Sequence, residues 1–185
     1  MHQPAIDRPR TLEEFRIWHE RQPDVWEFVG GTASMMAPGS KAHTLLKSRM
    51  ARMLGAGLEG TGCEAFVDGA VVEVEGSSLI PDVVVSCGPP DLTTPRIDEP
   101  TIIVEVLSPS GEKDDLGRKL MLYLRIPTVR HYLTIAQDGR RVVHHERRDD
   151  LDGRFLTSLV TGGRLRLEPP GVDLDVTRLY DGIVP

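Results

Sequence analysis

Residues 80–90 read IPDVVVSCGPP and residues 101–110 read TIIVEVLSPS. Each holds a β-branched run too short for a helix and with little polar alternation, the pattern of a strand covered on both faces. Each run also carries one carboxylate where an apolar side chain would be less costly: Asp82 opens the first and Glu105 sits near the end of the second. An ionised carboxylate beside a buried strand is unfavourable unless something positive meets it. Hard oxygen donors on adjacent strands suit Mg²⁺, which keeps several waters and is held by one or two carboxylates plus a substrate phosphate. Such an ion polarises a phosphoryl oxygen and lowers the pKa of an attacking water. A helix is expected from about Asp114 to Leu124, with Leu116, Leu120 and Leu124 on one side and Lys119 and Tyr123 one turn apart on an adjoining side. Lys119 can then reach back to the same end of the sheet, to orient the water or offset charge growing in the transition state. Structural readings stand beside these. Asp82 also suits a strand start after Pro81, Glu105 a pair with Arg118 or Arg125, and Lys119 a pair with Asp115 four residues earlier.

Upstream, Thr11-Leu12-Glu13-Glu14 is a capping box that opens a short helix ending before Pro23. Val25 to Val29 and Thr32 to Met36 read as two strands across Gly30-Gly31. Alternation sets Val25, Glu27 and Val29 on one face, so Glu27 shares a face with apolar neighbours; an exposed strand glutamate is the alternative. Ser40 is placed to cap a helix running to about Leu54, with His43 in its first turn and Lys47 one turn on. His43 then looks toward whatever lies at the helix N-terminus, or faces solvent. Cys63 to Val67 and Ala70 to Val74 are expected to form a hairpin across Asp68-Gly69, followed by one strand from Ile80 to Ser86.

Downstream, His131 to Ile135 and Arg141 to His145 form a hairpin around Asp138-Gly139, Phe155 to Val160 and Leu165 to Leu167 read as strands, and Leu174 to Tyr180 closes the chain. His144 and His145 are strand neighbours that point to opposite faces, so they do not share an ion. Arg140-Arg141 and Arg147-Arg148 are candidates to grip a phosphate backbone, or a solvated rim. Ser108 and Ser110 lack a nucleophile elbow and suit turn chemistry. The order of elements is that of an α/β (α+β) domain with one central mixed sheet flanked by helices.

The chain has 185 residues, enough for one domain with an ordinary core. A formal charge of −6 argues against a surface that is nucleic-acid-binding throughout, since such binding neutralises phosphates with Lys and Arg; it leaves room for an acidic metal site with a local basic strip. Cys63 and Cys87 are too few for a disulfide scaffold and lack zinc spacing, so free structural thiols in a reducing cytosol are expected. No run approaches the roughly 20 apolar residues of a membrane span, and the N-terminus lacks a signal-like apolar region. A cytoplasmic protein with no membrane contact is the expectation.

Pro81-Asp82 before Val83-Val84-Val85, then Val104-Glu105-Val106-Leu107-Ser108-Pro109-Ser110, then Asp115-Leu116-Gly117 with Lys119 and Tyr123, resembles the Uma2 family of the PD-(D/E)XK restriction-endonuclease-like superfamily. Trp26-Glu27-Phe28-Val29-Gly30-Gly31, Met36-Ala37-Pro38 and His43 extend the resemblance over most of the chain. It implies one domain over residues 1–185, with a flexible start over about 1–10, and a restriction-endonuclease-like fold. It further implies Mg²⁺ or Mn²⁺ bound by Asp82 and Glu105, with the carbonyl of Val106 completing the coordination and Glu27 as an additional acidic ligand. The motif's lysine position holds Leu107, which moves that role to Lys119 on the next helix. Glu27, Asp82, Glu105 and Lys119 form the implied catalytic set, and His43 and Tyr123 are contacts to phosphate or to the metal's waters. The expected activity is hydrolysis of DNA phosphodiester bonds by a homodimer. The chain departs from the family pattern at Gly30, where the family has Asp, and at Ala136, where a later Asp is lost. Those departures sustain an alternative, a catalytically inactive binding or interaction module.

Overall fold

In the computed structural model, residues 8–107 and 113–183 are described, with only the backbone described at 113–116. In chain order the main elements are α1 (Leu12–His19), β1 (Trp26–Val29), β2 (Thr32–Met35), α2 (Lys41–Leu58), β3 (Cys63–Val67), β4 (Val72–Val74), β5 (Ser77–Leu79), β6 (Val83–Cys87) and β7 (Pro100–Val106). They continue with α3 (Lys113–Tyr123), β8 (His131–Ile135), β9 (Val142–Arg147), β10 (Phe155–Val160), β11 (Arg164–Leu167), β12 (Val172–Asp175) and α4 (Val176–Leu179). A six-stranded sheet, ordered β10-β9-β8-β7-β6-β3, is antiparallel throughout except where β7 and β8 run parallel, joined by α3. The fold is therefore mixed α+β, as expected. The expectation of one sheet is incomplete: a four-stranded antiparallel sheet, β2-β1-β5-β4, and a β11-β12 ribbon accompany the central one.

Why residues 83–85 and 102–104 do not alternate is visible in the packing. Val83, Val85, Ile102 and Val104 face a core built with Leu46, Met50 and Leu54 of α2. Val84 and Ile103 face the opposite way, into a second core with Val72, Leu79, Tyr123 and Tyr132. Both faces of β6 and β7 are dry, so neither can be polar. Helix α2 runs four residues past the expected end because Leu58 is still buried. Gly57 lets it close onto β12; a Cβ there would lie 2.7 Å from a Val172 methyl.

The hairpin expected across Asp68-Gly69 does not form. Both residues take the left-handed conformation, with φ of 54° and 78°, so the turn itself is sharp. The strands it joins leave for different sheets, β3 pairing with β6 and β4 with β5. Five residue pairs with β6, whose Val83, Val84 and Val85 are fully buried, hold β3, whereas β4 has three with β5 across the unexpected turn at Glu75-Gly76. The strand expected over Ile80–Ser86 is likewise broken: Ile80, Pro81 and Asp82 form the crossing between sheets, where Pro81 has no N–H to give a ladder. Strand β1 starts one residue later than expected; Val25 is exposed, while Glu27, Phe28 and Val29 are all buried.

Thr11 caps α1 as read, its hydroxyl accepting the Glu14 amide at 3.2 Å, but the Glu14 carboxylate accepts from Arg10 (2.7 Å) and not from Thr11. Cys63 and Cys87 are not free thiols: they oppose one another across β3 and β6 and form a disulfide with Cα atoms 3.9 Å apart. Their unit spacing in the antiparallel register, invisible in a separation of 24 residues, is what brings them together. The arginine pairs are largely occupied. Arg147 donates to the carbonyls of Leu124, Ile126 and Val129 at 2.5, 3.1 and 2.9 Å, closing the segment after α3, and Arg141 and Arg148 pair with Asp138 and Asp150.

His144 and His145 do face apart. His145 accompanies Thr157 and Tyr132, while His144 meets His131 of β8. The Pro169 carbonyl can only accept, so His131 donates to it from Nε2 (2.9 Å) and takes a hydrogen bond from His144 on Nδ1 (2.9 Å). Burial lowers the pKa of both rings to about 4, the Pro169 carbonyl opposing it at His131 and the neighbouring rings adding to it at His144. A ring that is neutral when folded and titrates near 6.5 when unfolded contributes stability fully present above about pH 6.5 and lost as pH falls toward 4. For one proton on the pair the loss is on the order of 3 kcal/mol. The melting temperature is expected to fall between pH 7 and 4.5, and less steeply in His144→Gln; equal slopes would sink this account. Arg147→Ala is expected to cost about 2–4 kcal/mol in urea denaturation, since three carbonyls lose their donor, whereas Arg148→Ala leaves the midpoint unchanged.

Candidate functional site

Asp82 sits on the crossing between the two sheets, 8% exposed. Its Oδ2 accepts the amide of Val106 at 2.7 Å, which fixes the crossing to the end of β7. Its Oδ1 accepts from His43 Nε2 at 2.9 Å, with Lys47 Nζ at 3.7 Å. His43 is set by local rules: Ser40 caps α2 by accepting the His43 amide at 3.1 Å. Gly39 leaves room for the ring, since a Cβ there would lie 2.7 Å from His43 Cδ2. Lys47, one turn on, also reaches Asp68 at 2.6 Å. Burial works to raise the Asp82 pKa, but the hydrogen bonds from His43 and Val106 and the nearby His43 and Lys47 charges outweigh it and hold the carboxyl below its ordinary value.

Glu105, paired with Thr134 in the parallel ladder, points to the opposite face from Val104 and Val106 and is 9% exposed. Tyr123 donates to its Oε1 at 3.1 Å, and Lys119 Nζ lies 4.0 Å from the same oxygen. One turn of α3 separates these two donors, which is why both reach one carboxylate. Burial pushes Glu105 up to about 8, against the Lys119 charge that works to lower it, and Asp82 and Glu27 add to the rise. The phenol of Tyr123 is raised well above its ordinary value, by burial first and by Glu105 next. Glu27, 6% exposed on β1, accepts the Ile80 amide on Oε1 at 2.8 Å and Lys119 Nζ on Oε2 at 2.6 Å.

The four expected residues thus share one neighbourhood: Lys119 bridges Glu27 and Glu105, and Asp82 holds the residue next to Glu105. His43 and Tyr123 belong to it as well, and the solvent-facing alternative for His43 fails. The exposed reading of Glu27 fails too, and Arg125 pairs with Glu75, leaving Glu105 to Tyr123 and Lys119. The proposed Lys119–Asp115 pair and the roles of Ser108 and Ser110 fall outside the described side chains. Two participants carried no assigned role in the sequence. Lys47 was signalled only by its spacing from His43. Gln137 had no signal: it donates to the Leu107 carbonyl at 2.7 Å and accepts from the Ser40 hydroxyl at 2.5 Å, tying the cap of α2 to the end of β7.

The donor set fits a hard divalent cation. Asp82 and Glu105 offer carboxylate oxygens, and the raised Glu105 marks a buried site short of positive charge. Among the described residues no three His, Cys, Asp or Glu side chains assemble a cage, and Mg²⁺ ordinarily uses one or two carboxylates. A groove of about 640 Å³ lies elsewhere, along β3 beneath residues 88–99. Its lining carries the acids Glu64, Asp68, Asp91, Asp98 and Glu99 against the single cation Arg96, a balance that disfavours phosphate. No helix among the described residues is long and apolar enough to cross a membrane.

Comparison with known proteins bears on the family and the fold. Residues 12–177 match the model of the Uma2 family, described as "putative restriction endonuclease". The chain is 31% identical over 186 residues to the uncharacterized protein slr1290 of Synechocystis sp., covering 98% of this chain and 97% of that protein. It is 30% identical to the uncharacterized protein sll1609 of the same organism, covering 79% of this chain and 85% of that one. A crystal structure titled as a "putative nuclease belonging to DUF820" from Anabaena variabilis shares the fold, with a TM-score of 0.76 at 15% identity over 94% of this chain and 98% of that one. With the family pattern matched from the first helix to the last, the chain belongs to the Uma2 family.

Proposed function

We propose that this protein is a metal-dependent endonuclease that hydrolyses DNA phosphodiester bonds, with Asp82, Glu105, Glu27 and Lys119 as its site. The observation that carries the reading is a lysine with 12% of its side chain exposed, set between two buried carboxylates and beside a third whose ionised form is stabilised. Asp82 and Glu105 are the residues that would hold Mg²⁺ or Mn²⁺. Bound there, the ion supplies a Lewis acid for a phosphoryl oxygen and a water of lowered pKa. His43 and Lys47 keep Asp82 ionised, and Glu105, raised by burial, would have to be ionised to hold a cation. The Lys119 ammonium offsets charge that grows on the phosphate as the bond breaks.

A homodimer in the cytoplasm belongs to the same reading, one site serving each strand of a duplex. Strand β10 is one edge of the central sheet, uncharged from Phe155 to Val160 with Leu156 and Leu159 exposed, and suits such pairing. A second reading, a module that keeps the fold without turnover, is favoured by the engagement of both Asp82 oxygens within the protein.

Supercoiled plasmid incubated with Mn²⁺ or Mg²⁺ is expected to be nicked, and Asp82→Ala and Glu105→Ala to lower the rate at least about 10²-fold. Nicking that survives either substitution, or wild-type protein that neither binds Mn²⁺ nor nicks, would favour the second reading. Sedimentation of the same sample is expected to give the mass of two chains, and Leu159→Lys that of one.

A further inference from the structure

Glu27 occupies a different position from the other two carboxylates. Its strand lies beside β5, with Phe28 opposite Ser78, so its side chain meets the chain just as β5 ends. Oε1 accepts the Ile80 amide and Oε2 accepts Lys119, at 2.8 and 2.6 Å. The pair is almost wholly dry, with side-chain exposure of 12% for Lys119 and 8% for Glu27. In such surroundings a charge-assisted bond is short and strong, and breaking it strands two charges.

We infer that Glu27 is a positioning residue that aims the Lys119 amine at the site, and not a metal ligand. The inference rests on the nuclease reading for its kinetic consequence alone. A lysine is a point charge on a flexible four-carbon stem, and its value in a transition state depends on where that charge is held. Tyr123 packs α3 into a core shared with Val72 and Leu79 of the four-stranded sheet; Glu27 adds a carboxylate of that sheet in direct contact with the Lys119 amine. The same carboxylate holds Ile80, two residues before Asp82. Lysine and the aspartate proposed as a metal ligand are thereby set by one group, and Glu27 already meets a lysine ammonium of the protein at 2.6 Å, where Asp82 has Lys47 only at 3.7 Å.

Glu27→Gln keeps an acceptor for Ile80 and removes the charge that Lys119 meets. Mn²⁺ binding by calorimetry is expected to match wild type in Glu27→Gln and to weaken about tenfold or more in Glu105→Gln. Nicking by Glu27→Gln is expected to fall about 10²-fold, with the substrate concentration for half-maximal rate unchanged. In a Lys119→Met background, Glu27→Gln is expected to add no further loss, since the two act as one unit. Loss of Mn²⁺ binding in Glu27→Gln equal to that in Glu105→Gln, or independent losses in the double variant, overturns the inference. A readout independent of turnover separates it from the nuclease reading: the Lys119 amine resonance in ¹⁵N-lysine spectra is expected to exchange slowly with water and to lose that protection in Glu27→Gln. Protection retained in Glu27→Gln overturns the positioning role, whether or not plasmid is cut.

Discussion

Carboxylates hold the crossing on either side of Pro81: Glu27 accepts the Ile80 amide, and Asp82 accepts the Val106 amide at the end of β7. The arrangement follows from a constraint on the whole fold. A chain that passes from one sheet to another inside a protein must leave its ladder, and the groups it frees cannot be left bare in a dry core. Here the Ile80 amide is met by Glu27 and the crossing is tied to β7 through Asp82, and because both side chains are acids they demand cations in turn. His43, Lys47 and Lys119 are the answer to that demand. The site is thus the place where the fold's topological problem and its charge balance are solved together.

The electrostatics divide the acids into different states. Asp82 receives hydrogen bonds from an amide and an imidazole and stays ionised, while Glu105, deeper and served by a phenol and a lysine 4.0 Å away, is raised to about 8. Both have a cation nearby and both accept a hydrogen bond; burial first, and then the like charges of Asp82 and Glu27, raise Glu105, whereas two direct hydrogen bonds outweigh burial at Asp82. An added divalent ion would be felt most at Glu105, where the protein's own positive charge falls short.

Much of this was legible from residues 80–124. The apolar runs announced buried strands, the two carboxylates announced an unmet charge, and the family resemblance, with Leu107 at the motif's lysine position, pointed to Lys119 on α3. What escaped did so for definable reasons. Asp68-Gly69 has the dihedrals of a hairpin turn, yet turn chemistry fixes only local direction, and the competition between β6 and β4 for β3 is settled by burial many residues away. The Cys63–Cys87 bond depends on the register of β3 against β6, a quantity that no count of cysteines contains. Gln137 acts through main-chain groups of Leu107 and a helix cap, and glutamine has no positional preference that would mark it. Glu27 was visible as an acid on an apolar face, but its partners lie on β5's exit and on α3, so only the assembled molecule tells whether it meets an ion or an amine.

The site's groups come from segments that are neighbours nowhere along the chain: Glu27 and Ile80 are 53 residues apart, His43 and Asp82 39, Asp82 and Val106 24. Contacts of such separation close large loops and gain their energy only after the intervening strands have paired. The parallel pairing of β7 with β8 must also wait for α3 to be made. A chain still emerging from synthesis therefore holds acids and lysine apart, and the constellation comes into being only as both sheets close. Whatever chemistry it performs is withheld from every incomplete form of the molecule.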